Sequence, residues 1–172
     1  MSESHQPEPR ILKISECMSL SGRTSITYHV GCSGMKDVCF RIWDTSGKGV
    51  FSKEWVCAAE IQKVLAQHDL LSASSLLPVF KVGRSVNTAG YLLAVLKQEG
   101  LVVLSEDTPH KYLRVKSETF VAEVAALIKE GVDLDPIADG PEPQRASKVK
   151  GRRAAGVPAW DASAQGDDSD SQ

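Results

Sequence analysis

Apolar and polar residues alternate with a period of two in the first third of the chain and with helical spacing afterwards. Ile26, Tyr28 and Val30 alternate with Thr27 and His29, the period of a strand buried on one face. Residues 32–34 supply turn chemistry, and residues 38–43 form a second apolar run rich in β-branched and aromatic side chains. Residues 44–49 are a loop by composition. Residues 50–56 predict a third strand, with Phe51, Lys53 and Trp55 on one face. Residues 11–56 are thus expected to form a three-stranded antiparallel meander behind a disordered lead at 1–10. Three strands need a cover over their apolar face, and the helices that follow would supply it.

Residues 58–68 predict a first helix with Ile61, Val64 and Leu65 on one stripe. Ser72 or Ser74 can cap a short second helix through Leu76, Leu77 and Phe80, with Pro78 in its first turn. Residues 81–84 are a tight turn. Ser85 caps a third helix at 86–99, which Gly100 ends in the left-handed conformation. A β-hairpin at 101–115 follows, and Ser117 opens a last amphipathic helix to Lys129. Phe120, Val121, Val124, Leu127 and Ile128 are expected on its inner face, while Val95 and Ala94 of the third helix are expected to point outward. From residue 133 periodicity is lost and Pro, Gly, Ala and Asp accumulate, the composition of a disordered tail. The class is α+β, with the meander at 11–56, the helical part at 57–132 and the tail at 133–172.

Helix, short helix, tight turn, helix and hairpin is the order of a winged helix-turn-helix. Leu76 and Leu77, Phe80, Gly83 and Ser85, Asn87, Ala89, Leu92 and Leu93, Leu96 and the run Gly100, Leu101, Val102 add a pattern to that order. On these residues the stretch 72–102 resembles the winged-helix C-terminal domain of the FtsK-type DNA translocases and, more loosely, the MarR-type repressors. The resemblance implies that the first turns of the third helix enter a DNA major groove. Arg84, Ser85, Asn87, Thr88 and Tyr91 would then face the duplex, with Lys111, Arg114 and Lys116 of the wing on phosphates. Thr88 and Tyr91 stand where the translocase domain has arginines, so its G-rich target does not carry over. No GxxxxGK[ST] motif is present, which excludes the motor activity.

Overall charge changes the picture only locally. The chain is close to neutral, at −2, yet residues 81–116 hold six basic against three acidic side chains. Arg145, Lys148, Lys150, Arg152 and Arg153 add a basic run, either an arm that strengthens nucleic-acid binding or a solubilising tail. Cys17, Cys32, Cys39 and Cys57 have no metal-ligand spacing, and Cys39 and Cys57 lie in apolar runs that suit buried, inert thiols. His5, His29, His68 and His110 fall in different elements, and no GxSxG, HExxH or phosphate-loop motif occurs. No catalytic residue, cofactor or metal site is expected. No apolar run reaches the ~18–20 residues of a membrane span, and residues 1–10 lack a secretory signal, so a cytoplasmic protein is expected.

The leading expectation is a non-enzymatic reader of duplex DNA, a small bacterial or mobile-element transcriptional regulator. A protein-interaction adaptor, or a homodimer, that uses Tyr91, Ala94 and Val95 as its docking face is the alternative from another class. A third reading takes Trp43 and Trp55, with Arg23 and Arg41, as a surface that stacks single-stranded bases. Against it, both tryptophans are expected to pack on the first helix.

Overall fold

The computed structural model describes residues 7–81 and 85–141. Strands β1 (Arg10–Met18), β2 (Ser25–Ser33), β3 (Asp37–Thr45) and β4 (Val56–Cys57) form one antiparallel sheet in the order β1-β2-β3-β4. Alternation sets its faces. Ile26, Tyr28, Val30 and Cys32 of β2 point into the core with Leu12 of β1 and Phe40 and Ile42 of β3, while Thr27, His29 and Arg41 take the other face.

The third strand expected at 50–56 does not form over most of its length. Only Val56 and Cys57 pair with β3, opposite Phe40 and Cys39. Residues 46–55 instead leave the sheet as a long loop, because the polar groups of their backbone find partners on a helix described below. The missing strand is supplied at the other edge, where β1 begins at Arg10 and pairs with most of β2.

Helix α1 (Ala58–Ala66) buries Ile61, Val64 and Leu65 on the sheet side and stops two residues short of the expected end. Residues Ala73–Val79 form a 3₁₀ helix, in which Pro78 is the penultimate residue rather than a first-turn one. Ser72 precedes it, and the Ser75 hydroxyl accepts from the Ser72 N–H at 3.1 Å. Helix α2 (Val86–Gln98) ends where expected, at Gly100 with φ +74°, a conformation a side chain resists. Strands β5 (Val102–Leu104) and β6 (Tyr112–Arg114) form the hairpin. Leu71 bonds across it to Tyr112 in both directions, at 2.8 and 2.9 Å.

Helix α3 (Glu118–Lys129) is capped by the Ser117 hydroxyl, which accepts from the Phe120 N–H at 3.2 Å. The β1 edge holds it. Arg10 donates to the Ile128 carbonyl at its C-terminal end, where a cation suits the helix dipole. Lys13 bridges Glu123 of α3 and Glu99 after α2, both at 3.1 Å. The fold continues past the expected boundary at 133: Leu134 donates to the Ile11 carbonyl at 2.8 Å, and the Asp135 carboxylate accepts from the backbone of Ile137 and Ala138. The expected tail beyond 141, with its basic run at 145–153, lies outside the described residues.

Candidate functional site

The expected DNA-reading face is largely spoken for by the chain itself. Thr88 is fully buried, and its hydroxyl accepts the Ser52 N–H at 3.0 Å. Ser85, at the N-cap of α2, donates from its hydroxyl to the Val50 carbonyl at 3.0 Å instead of capping its own helix. Asn87 is exposed, with its amide 3.5 Å from the same carbonyl. Tyr91 is half-buried and meets Phe51 edge to face at 6.3 Å between centroids. Ser85 at the N-cap of α2 and Asn87 and Thr88 in its first turn thus anchor the β3–β4 loop, and that is why the loop does not continue the sheet. One turn further, Ala94 and Val95 are buried in the core rather than exposed, so the outward face expected of them is absent. Arg84 lies outside the described residues.

The wing residues are placed differently. Lys111 sits half-buried beside the hairpin loop, whereas Arg114 and Lys116 are exposed and line a groove between α1 and α3. Lys36, from the β2–β3 turn, joins them there. Ser85, Asn87, Thr88 and Tyr91 do not line this groove.

The groove has a volume of about 770 Å³. Phe40 of β3, Ile61 and Leu65 of α1, and Phe120 and Val124 of α3 form its floor and walls and belong to the core. Its rim is apolar and uncovered: Val121, expected to face inward, is 64% exposed, and Met35 is 85% exposed. Phe40 and Phe120 stack at 5.7 Å with an interplanar angle of 17°, which fixes α3 over the sheet and leaves its Val121 side free. Among the described residues no carboxylate pairs with Lys36, Arg114 or Lys116, and Glu118 is the one acidic residue in the lining. An open apolar trough with unneutralised cations at its edge favours an amphipathic ligand with negative charge beside its apolar side chains.

The other face of the sheet carries a second cluster, and here the tryptophans depart from expectation. Trp43 and Trp55 do not pack on α1. They bracket the Arg41 guanidinium, 4.8 and 4.3 Å from the two ring centroids, on the side away from the helices. Lys53 lies 4.5 Å over Trp43, and His29 stacks on the same ring at 4.9 Å. Glu8 closes the arrangement, accepting from Arg41 at 2.7 Å and from the Trp55 indole at 3.3 Å. Trp55 crosses Gly31 so closely that a Cβ there would stand 2.6 Å from the ring. The rings already hold two cations of this chain, Arg41 against both and Lys53 against Trp43. Burial, aided by the charges of Arg41 and Lys53, lowers the His29 pKa to about 4, and its imidazole is neutral at neutral pH. Among the described residues no three His, Cys, Asp or Glu side chains are grouped to hold a metal ion.

Comparison of the chain with protein-family models, curated proteins and solved structures returns no match. The resemblance of residues 72–102 therefore rests on those residues alone. Lys36, Met35 and Val121 were not legible as site residues. The first two stand in a polar turn and the third on an amphipathic stripe, and only the packing of these two distant segments brings them together.

Proposed function

We propose that this chain is a non-enzymatic protein-interaction module whose groove between α1 and α3 takes an amphipathic helical segment of a partner protein with acidic residues along one edge. The observation that carries this reading is the uncovered apolar rim at Met35 and Val121 beside Lys36, Arg114 and Lys116, which pair with no carboxylate among the described residues. Helix α3 has 12 residues, about 18 Å at the usual rise per residue, room for roughly three turns of a partner helix laid alongside. Apolar anchors spaced i, i+3, i+4 and i+7 would enter the trough, the recurrent helix-in-groove mode, and carboxylates would meet the cations. The adaptor reading from the sequence is kept, but on a different face: Tyr91 holds a loop, and Ala94 and Val95 are core.

Fluorescence anisotropy of designed helical peptides on the full chain tests this. One peptide carries leucines at those four spacings with glutamates on one flank; its counterpart carries lysines instead. The expected result is at least tenfold tighter binding of the acidic peptide, lost in Val121→Glu, which buries a charge against the anchors. A second readout adds random-sequence duplex DNA, the occupant expected from the sequence. Saturable duplex binding with no binding of either peptide would overturn the proposal.

A further inference from the structure

Cys39 and Cys57 face each other across β3 and β4 as a register pair, with their sulfurs 3.8 Å apart. Directly opposed residues in an antiparallel pair have Cα atoms roughly 4.5–5.5 Å apart, inside the roughly 4.4–6.8 Å that a disulfide spans. The partners differ in access: Cys39 is buried and Cys57 is exposed, contrary to the expectation that both are buried and inert. Cys17 and Cys32 are buried on the core face instead. Cys57 is also the N-cap residue of α1, so the pair sits where the β3–β4 loop returns to the sheet and becomes helix.

The geometry points to Cys39 and Cys57 as a thiol pair that small-molecule disulfides such as oxidised glutathione convert to a reversible intramolecular disulfide. Cys57, deprotonated, attacks one sulfur of the oxidant; the oxidant's S–S bond breaks, and one small thiol leaves with the proton that Cys57 lost. Cys39 then gives up its proton and attacks the Cys57 sulfur, and the second small thiol departs with that proton. Two protein thiols are oxidised and one small disulfide is reduced to two thiols. Burial pushes the Cys39 thiol up to about 12, so the exposed partner reacts first. The new bond reinforces a strand pairing of only two residues and ties β3 to the start of α1, whose Ala58 and Ile61 line the groove.

The test is a peptide map of the full chain after exposure to oxidised glutathione, acid quench, alkylation and trypsin cleavage without reductant. The expected product joins residues 37–41 to residues 54–63, while the peptides holding Cys17 and Cys32 are alkylated. Dithiothreitol should restore both free thiols, and the oxidised chain should melt several degrees higher. The variant Cys39→Ala should stop at a mixed disulfide on Cys57. The wild-type map decides alone, should that variant fail to fold. A persistent mixed disulfide on wild-type Cys57, a link to Cys17 or Cys32, a bridge between two chains, or full alkylation of both thiols would each overturn the inference.

Discussion

His29 is fully buried, stacked on Trp43 and hydrogen-bonded to Arg41 through Nδ1. Folded, it takes up a proton only near pH 4; unfolded, near the usual 6.5. The unfolded chain therefore binds more protons between those values, and this contribution to stability is complete above about pH 6.5 and lost as pH falls towards about 4. Melting temperature should fall as pH is lowered through that window, and fall less in His29→Gln, which keeps an acceptor for Arg41. Equal slopes would show that His29 is not the group responsible. Glu99 is a second buried polar residue that ties the sheet to the helices. It accepts from the buried Tyr28 hydroxyl and pairs with Lys13, so Glu99→Ala, which removes both contacts, should cost about 1–3 kcal/mol in denaturant unfolding. Neither role was visible beforehand. A histidine alternating in a strand reads as a surface residue, and a glutamate at a helix end reads as solvated, until the opposite face of the sheet and the Tyr28 side chain are in place.

Helix positions were legible in the sequence because their signals are local. Ser117 and Gly100 mark a start and a stop by backbone chemistry that needs no distant partner. Which side of a helix is covered is not local. Phe120 and Val121 both lie on the apolar stripe of α3, yet Phe120 stacks on Phe40 and Val121 overhangs the groove. Phe120→Ala should therefore cost about 3–5 kcal/mol, whereas Val121→Ala should stay within about 0.5 kcal/mol; similar losses at both would place α3 differently. The β3–β4 loop shows the converse failure. Residues 50–56 have strand composition, but Ser85 before α2 and Thr88 within it take the backbone bonds of Val50 and Ser52 that a strand would have given to β3. Thr88→Val removes one acceptor at nearly constant shape and should lower stability by about 1 kcal/mol.

At the scale of the molecule, the α+β class and the order of elements after residue 58 were readable from periodicity and turn residues. The groove was not, because its cations come from the β2–β3 turn on one side and from β6 and the segment before α3 on the other, more than 70 residues away in sequence. Their proximity predicts salt-sensitive binding of an acidic partner, and charge reversal at Lys36, Arg114 and Lys116 together should invert the preference between acidic and basic peptides. Hydrogen exchange by mass spectrometry on the full chain, with and without the acidic helical peptide, tests the docking claim most directly, since it locates the ligand rather than merely detecting it. Added protection is expected in α1, in α3 and around Met35 and Lys36, with the first turn of α2 and residues 46–52 unchanged. Protection confined to α2 and that loop, with α1 and α3 unaffected, would contradict it.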